Sequence, residues 1–344
     1  MRIAVVASPV TPLRPAQLGG AQAFVCDLAA GLARKKGFEV TLHCAEGSDV
    51  PGVRLVTVPA PRDAREALVM PGGAPPPPAP GVAAALRAMF ENVASLHVHA
   101  VSQHAFDAPA FDLFDEWPVL HTLHLPPIVP AVVEAAGRVW APRLATVSRS
   151  CQKLWRRARV RVPQVLPNGV PEGAAAAGPV ERVALIAGRI SPEKGIEHAI
   201  AAARTAGLPV RLAGPRYDPA YEVDLQGGVE VLGALPRPDL SSLMARSAVV
   251  ICAVRWDEPF GMVAAEAQMA GCPVAAYRRG AMPEVIEDGV SGCLAEPDDV
   301  ASLARAINRC LELDRQGVRA SAIKRLGLQA AIDRYETALV FASR

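Results

Sequence analysis

The chain has 344 residues, of which 51% are hydrophobic and 20% are charged, and its formal net charge at pH 7 is +2. This length allows two domains with a core each, and the near-neutral charge excludes a general attraction to nucleic acid. The seven cysteines include no Cys-x-x-Cys pair, which argues against a disulfide framework or a zinc site and favours a reducing cytoplasm. A strand-like run begins directly at Arg2, and no apolar run approaches membrane-spanning length, so we expect neither a signal peptide nor a membrane span.

Strand-like segments alternate with helical patterns along most of the chain, which predicts α/β domains with parallel sheets and helices on both faces. In the first half of the chain, the pattern predicts strands over residues 2–7, 39–44, 53–58, 95–99, 118–124 and 143–147. It predicts helices over residues 21–36 and 81–92. A run rich in proline and glycine at residues 71–80 predicts a stiff, exposed loop. We interpret it as a surface connection rather than as a flap over an acceptor.

The loop after the first strand ends in Gly19-Gly20, immediately before a helical pattern. Glycines at the start of a helix let a phosphate or a hydroxyl group approach the free backbone amides. Because the G-x-G-x-x-G pattern is missing here, a plain tight turn explains these two residues equally well.

Four histidines lie in or directly after the predicted strands that follow. His97 and His99 alternate along one strand, but no neighbouring Cys, Asp or Glu completes a metal shell. We therefore interpret both as packing or loop-anchoring residues. His121 and His124 come at the end of the next strand, and a histidine at the carboxyl edge of a parallel sheet points into the crevice where ligands bind. The residues alone also fit a core or surface role for either one.

Ser148 is predicted to cap the helix that follows residues 143–147. Basic residues surround Trp155 on this helix, a pattern that suits an anionic membrane surface or an anionic acceptor, but that more often forms a solvated face. We favour the solvated face and keep peripheral membrane contact as the lesser alternative. The basic residues are Lys153, Arg156, Arg157 and Arg159.

The turn-rich stretch 166–180 predicts a linker, after which a new sheet begins with a strand over residues 181–187. Arg189 and Lys194 follow this strand, where two cations would hold a diphosphate leaving group. A pair of surface cations is the plainer alternative. Ser191 is predicted to cap a helix whose first residue is Pro192.

Later strands are predicted over residues 210–213, 229–232, 248–254 and 273–276, and helices over residues 298–311 and from about residue 329. The most informative stretch lies between the third of these strands and Gly271. Pro259 suits the first position of a helix, and Gly271 suits the residue just past a helix end. We therefore expect a strand, a loop and a helix, with free backbone amides at residues 260–263 that favour negative charge.

Two carboxylates, Glu258 and Glu266, bracket this turn eight positions apart. Eight residues of helix rise about 12 Å, whereas a retaining hydrolase needs its carboxyl groups about 5–5.5 Å apart. We therefore do not interpret the two residues as an acid and a nucleophile. Each can instead accept hydrogen bonds from the hydroxyl groups of one sugar-rich ligand, at about 1.5–3 kcal/mol per charge-assisted bond. A solvated loop residue and a helix residue in an ion pair is the alternative.

The Glu-Pro-Phe-Gly run at residues 258–261, followed by a helix that carries Glu266, closely resembles the Glu-x7-Glu element of retaining GT-B glycosyltransferases of family 4. The resemblance implies that Glu258 contacts the hydroxyl groups of the donor sugar and that Glu266 holds the ribose of the nucleotide. It also implies that the amides of residues 260–263 lie against the sugar and the diphosphate.

Three other motifs are similar to those of this family. The run from residue 188 to residue 195 resembles its phosphate-binding loop, Thr122-x-His124 resembles a strand that ends in a histidine at the reaction centre, and Gly19-Gly20 resembles a first loop near the donor diphosphate. The resemblance assigns donor binding to Gly19, Gly20, Gly188, Arg189, Lys194, Glu258, Phe260, Gly261, Met262, Val263 and Glu266. It assigns catalysis to His124, Glu258, Arg189 and Lys194.

The fold implied by the resemblance is GT-B, with two Rossmann-like domains facing across a cleft. The expected parts are an acceptor-side domain at residues 1–165, a linker at 166–180, a donor-binding domain at 181–327 and a helix at 328–344 that packs back on the first domain. The expected reaction moves a sugar from a UDP- or GDP-linked donor to a hydroxyl group of a small-molecule, saccharide or lipid-linked acceptor, with retention. A phosphorylase that uses a sugar phosphate and a non-catalytic nucleotide-sugar-binding protein are the alternatives. The sequence contains no Asp-x-Asp motif, so we expect no metal and no other cofactor.

Overall fold

The computed structural model describes residues 1–14, 19–63, 79–115, 117–173, 178–216, 221–225 and 227–343. The chain divides into two units, one formed by Met1–Pro167 with Gln329–Arg344 and the other by Asn168–Leu328. Each unit is an α/β domain built on a parallel sheet, which confirms the fold class expected from the alternation of strands and helices. Residues 71–78 of the proline-rich run lie outside the described residues.

The sheet of the first unit has seven strands among the described residues, in the spatial order β3-β2-β1-β4-β5-β6-β7. Its pairings are parallel throughout. The order reverses between β1 and β4, and such a switch point opens a crevice at the carboxyl ends of the strands. The strands are β1 Arg2–Val6, β2 Glu39–Ala45, β3 Arg54–Val58, β4 Ala100–Gln103, β5 Val119–Leu123, β6 Leu144–Thr146 and β7 Gln164–Val165.

The sheet of the second unit has six strands in the described part of the chain, in the order β10-β9-β8-β11-β12-β13. It is also parallel, and its order reverses between β8 and β11, so its switch point lies between these two strands. The strands are β8 Glu181–Ala187, β9 Val210–Ala213, β10 Val229–Gly233, β11 Ser247–Cys252, β12 Val274–Tyr277 and β13 Gly292–Ala295.

The helices cover these sheets with apolar faces. In the second helix, Val82, Leu86, Met89 and Val93 recur at three- and four-residue spacing, so one face packs on the first sheet. The helices of the first unit are α1 Gly20–Ala33, α2 Pro80–Ser95, α3 Ala108–Leu113, α4 Pro130–Arg138 and α5 Arg149–Arg157. Those of the second unit are α6 Ile196–Thr205, α7 Arg237–Arg246, α8 Met262–Met269, α9 Met282–Val285, α10 Val300–Cys310 and α11 Arg315–Leu326. Five of these helices, α3, α4, α7, α9 and α11, were not predicted from the sequence.

The last helix, α12 (Leu328–Ala342), packs within the first unit. The Cδ1 atom of its Ile332 lies 2.2 Å from the position of a Cβ at Gly31 on α1, so a larger residue there would displace Ile332. The buried Tyr335 donates a hydrogen bond from its hydroxyl group to Oγ1 of Thr122, at 3.2 Å. This helix therefore completes the first unit next to the end of β5.

The segment with His97 and His99 differs from its prediction as a strand. His97 has a φ of 47°, and both residues are exposed in the turn before β4. The strand starts only at Ala100, where the buried apolar pattern begins. Nδ1 of His99 accepts a hydrogen bond from the backbone N–H of Arg2 at 3.0 Å, so this histidine anchors a loop, as predicted.

The basic helix α5 is capped as predicted, because Oγ of Ser148 accepts a hydrogen bond from the backbone N–H of Cys151. Its tryptophan is not on the surface, however. Trp155 is fully buried and donates from Nε1 to the carbonyl oxygen of Leu125 at 3.1 Å. The aromatic residue that the membrane alternative invoked is thus part of the core, while Lys153, Arg156 and Arg157 remain exposed.

Candidate functional site

The loop after β8 carries the predicted cations Arg189 and Lys194. The sequence prediction of a helix starting at Pro192 is wrong, because residues 192–194 form a single 3-10 turn and α6 begins at Ile196. Gly195 separates the two with a φ of 60°, a left-handed conformation that breaks the helix. Ser191 makes no cap hydrogen bond, and its hydroxyl donates instead to Oε1 of Glu193 at 2.7 Å.

The loop after β11 also differs from its prediction at the helix start. α8 begins at Met262 rather than at Pro259, because Gly261 takes a φ of 98° before the helix. A Cβ at this glycine would lie 2.2 Å from Cε of Met282, so a larger residue would have to displace the end of that side chain as well as adopt a left-handed backbone. The helix amides without an intrahelical acceptor are therefore those of Met262, Val263 and Ala264. Gly271 has a φ of 76° just past the helix end, as predicted.

Lys194 and Glu258 meet at the switch point of the second sheet. Nζ of Lys194 lies 2.7 Å from Oε2 of Glu258, which also accepts a hydrogen bond from Nε1 of Trp256 at 2.8 Å. The ammonium group lies 5.6 Å from the centre of the Trp256 ring. The side chains of Lys194 and Glu258 are 20% and 13% exposed, so this ion pair is largely shielded from water.

Two opposing effects set the charge state of Glu258. Burial raises the pKa of its carboxyl group, but the charge and hydrogen bond of Lys194, the indole N–H of Trp256 and the charge of Arg189 together lower it below its ordinary value. The group is therefore a carboxylate at neutral pH, which can accept hydrogen bonds from ligand hydroxyl groups.

Arg189 lies on the same loop as Lys194. Its Nη2 atom is 3.2 Å from Oε1 of Glu193, in a half-exposed ion pair. The positive charge of Arg189 also contributes to the lowered pKa of Glu258. Both predicted cations thus influence the same carboxylate, at the edge where β8 and β11 end.

Glu266 lies on α8 and pairs with a residue that the sequence analysis missed. Nε of Arg237 donates to Oε1 of Glu266 at 3.0 Å, and the two side chains are 15% and 16% exposed. Arg237 is the first residue of α7, which follows β10. The available signal was its position after the carboxyl end of a strand, where ligand-binding residues gather in parallel sheets.

In the first unit, the structure places His124 directly after β5 and joins it to a second histidine. Nε2 of His124 lies 2.9 Å from Nδ1 of His104, and Nε2 of His104 lies 2.8 Å from Oγ of Ser102. Burial lowers the pKa of His104 well below its usual range and that of His124 to about 4, so both rings are neutral at pH 7. His104 was not predicted as a site residue, although it directly follows the buried strand β4.

His121 and the Gly-Gly pair are also placed by the structure. His121 is buried and stacks on Phe111 with ring centres 5.0 Å apart, which agrees with a structural role. Gly19 is the residue before α1, and its carbonyl oxygen accepts from the backbone N–H of Ala23 at 2.8 Å. α1 starts at Gly20, one residue before the predicted start.

In the described parts of the chain, no group of three or more His, Cys, Asp or Glu side chains is arranged to hold a metal ion. Among the same residues, no helix combines the length and the apolar character needed to cross a bilayer.

Comparison with known proteins identifies the fold and then the family. The fold matches the structure of Anabaena HepE in complex with UDP-glucose with a TM-score of 0.75 and 20% identity, over 99% of this chain and 100% of that one. This likeness defines a GT-B glycosyltransferase fold. Residues 18–173 match the family model described as Glycosyltransferase Family 4, and residues 176–325 match the model described as Glycosyl transferases group 1. The chain belongs to the family 4 glycosyltransferases of the GT-B class.

Curated relatives match over shorter stretches. The D-inositol 3-phosphate glycosyltransferase of Corynebacterium kroppenstedtii is 38% identical over 100 residues, which are 29% of this chain and 22% of the relative. The enzyme of the same name from Mycobacterium tuberculosis (strain F11) is 33% identical over 145 residues, or 39% of this chain and 30% of the relative. The matches thus span less than a third of the length of these relatives.

Proposed function

We propose that this protein is a retaining glycosyltransferase that uses a nucleotide diphosphate sugar, UDP- or GDP-linked, and a hydroxyl acceptor. The observation that carries the proposal is the contact between Lys194 and Glu258 at the switch point of the second sheet, beside the first turn of α8. A cation and a carboxylate at one edge suit a ligand with a negative diphosphate and a sugar rich in hydroxyl groups. The family membership supports the same substrate class.

Each group has a proposed role in the donor complex. Lys194 and Arg189 stabilise the negative charge that develops on the leaving diphosphate, aided by the free amides of α8. Glu258 accepts hydrogen bonds from the sugar, and Glu266 accepts them from the ribose. His124 is proposed to hydrogen-bond the donor sugar. The bond from the anomeric carbon to the leaving phosphate oxygen breaks as the acceptor oxygen bonds to the same face, and the acceptor proton passes to the leaving phosphate.

This role requires Lys194 to exchange partners. Its ammonium group is hydrogen-bonded to Glu258 in the structure. When the diphosphate binds, the ammonium group turns towards the phosphates, and the sugar hydroxyl groups donate to the carboxylate that it has left. The ion pair therefore keeps both groups charged and in place before the donor arrives.

The proposed function is tested with the full chain, a panel of UDP- and GDP-sugars and a panel of small-molecule, saccharide and lipid-linked acceptors. We expect release of nucleoside diphosphate that depends on the acceptor, at the same rate with and without EDTA, since the cations of the second unit serve the leaving group. Donor binding without transfer to any acceptor would contradict the proposal, as would a requirement for inorganic phosphate. Loss of rate in EDTA with recovery in magnesium would refute the metal-free part alone.

Glu266→Ala is expected to raise the KM for the donor without a matching fall in kcat, because the ribose contact acts equally on the ground state and the transition state. A charge-assisted hydrogen bond contributes about 1.5–3 kcal/mol, so its loss should raise the donor KM roughly 10- to 100-fold. Initial rates at varied donor concentration measure this effect.

Arg237→Ala is the matched variant for the same site, because it removes the arginine contact and leaves the Glu266 carboxylate in place. We expect a smaller increase in donor KM than for Glu266→Ala. An unchanged KM in Glu266→Ala would remove this residue from ribose binding, and a larger effect in Arg237→Ala would assign the main contact to the arginine.

A further inference from the structure

Three polar groups form a continuous hydrogen-bonded row beside the switch point of the first sheet. Ser102 lies on β4, His104 follows that strand, and His124 follows β5. The row runs from Oγ of Ser102 to Nε2 of His104, and from Nδ1 of His104 to Nε2 of His124, at 2.8 and 2.9 Å. All three side chains are at most 5% exposed, so water does not compete for these bonds.

The hydrogen bonds of this row couple the tautomers of the two histidine rings. Each ring is neutral and carries one proton, so exactly one of its two nitrogens donates. If the Ser102 hydroxyl donates to His104, then His104 donates to His124, and His124 carries its proton on Nδ1. If the serine accepts, every donor reverses, and Nδ1 of His124 is bare. One hydroxyl orientation therefore determines the tautomer of both rings.

The row ends at Nδ1 of His124. Nδ1 of His124 is buried and has no hydrogen-bond partner among the described residues. A buried polar atom of this kind costs free energy unless a ligand or another group satisfies it. It is the ring nitrogen of His124 that remains for a hydrogen bond to substrate.

Aromatic packing holds the two rings in position. The Phe24 ring meets His124 edge-on at 6.2 Å between ring centres, and the Tyr335 ring lies 5.7 Å from both Phe24 and His104. This packing fixes the ring planes but does not distinguish a nitrogen from a carbon in the ring. Among the described residues, the hydrogen bond between His104 and His124 makes that distinction.

We propose that His104 is a positioning residue that, together with Ser102, holds His124 in one ring orientation and one neutral tautomer, with Nδ1 presented to substrate. The catalytic consequence rests on the proposed function, whereas the tautomer itself is a property of the protein without substrate. The orientation of His124 is then set before the donor binds, which reduces the reorganisation required in the reaction.

The test compares His104→Phe, which keeps a ring in the same space, with His104→Asn, which keeps a polar group near Nδ1. NMR of the full chain labelled with ¹⁵N in the histidine rings reports which nitrogen carries the proton, and His124→Gln assigns the signal. We expect one His124 tautomer in the wild-type protein and two in His104→Phe. The kcat of His104→Phe should fall about 10- to 100-fold while the donor KM changes little, with partial recovery in His104→Asn.

His121→Phe is the control, because it removes another buried imidazole, on β5, and leaves Ser102, His104 and His124 unchanged. This variant should show the wild-type tautomer of His124 and the wild-type kcat. Ser102→Ala removes only the hydrogen bond between Ser102 and His104, and it replaces His104→Phe as the test if that variant does not fold. It should also give two tautomers of His124. Mixed tautomers in the wild-type protein, or one unchanged tautomer in the variants, would overturn the proposal. If the wild-type protein transfers no sugar, the proposed function fails, and the NMR measurement still decides the tautomer.

Discussion

Lys194→Ala is expected to lower turnover by about two to three powers of ten, because the variant lacks a cation that meets charge developing on the leaving diphosphate. The donor KM should change much less, since the interaction is strongest in the transition state. Steady-state rates at saturating donor and acceptor measure the effect. Lys324→Ala, which removes an exposed lysine from α11 of the same unit, is the control and should retain the wild-type rate.

This substitution also affects stability, because Glu258 loses its ionic partner. A largely buried carboxylate without its cation destabilises a protein by several kcal/mol, about 3–5 for a fully buried pair. Thermal unfolding of the variant therefore accompanies the kinetics, and Lys194→Arg, which retains the positive charge, separates the two effects. A folded Lys194→Ala protein with near-normal turnover would exclude this residue from the site.

Gly195→Ala is expected to destabilise the second unit strongly and to abolish most activity. The residue has a φ of 60°, which costs a residue with a Cβ about 1–2 kcal/mol. A Cβ here would also lie 2.1 Å from the carbonyl oxygen of Ala253, so the backbone after β8 or after β11 must move. Either movement displaces Lys194 or Glu258 from their contact.

Gly207→Ala is the matched control for this prediction. Gly207 has a φ of 70°, but a Cβ at this position meets no atom within 4 Å. It should therefore show only the conformational cost of about 1–2 kcal/mol and retain activity. Urea unfolding midpoints of the two variants measure the difference. Equal losses of stability would show that the close approach to Ala253 is relieved without cost.

The architecture follows from patterns that act over short stretches of sequence. Apolar runs such as residues 183–187 and 248–252 have the continuity of interior parallel strands, and both lie in strands in the structure. The polar residues after these strands could be predicted as site candidates because parallel strands end at one edge. Lys194 and Glu258, which are 64 residues apart in the chain, do meet there.

The helix starts were harder to predict because two local signals compete. Pro192 and Pro259 have the fixed φ that suits a first helical turn. Each is followed within three residues by a glycine with a left-handed φ, and the helix begins only after that glycine. Gly195 and Gly261 set the boundaries because both take a positive φ. At Gly195 the atom that excludes a Cβ, the carbonyl oxygen of Ala253, comes from a distant part of the chain. A sequence window does not contain that information.

The missed residues have the same explanation. Arg237 and His104 each make their key contact with a residue on another element, Glu266 and His124 respectively. Neither belongs to a motif of its own, so the sequence does not show which residue each one contacts. Their positions after the carboxyl ends of strands were the only sequence signal for a site role.

The central claim is that the second unit binds the diphosphate of a nucleotide at the edge where β8 and β11 end. A crystal structure of the full chain soaked with UDP or GDP tests it most directly. We expect the phosphates within hydrogen-bonding distance of Lys194 and Arg189, with the ribose hydroxyl groups donating to Glu266. A nucleotide bound away from these three side chains would contradict the claim.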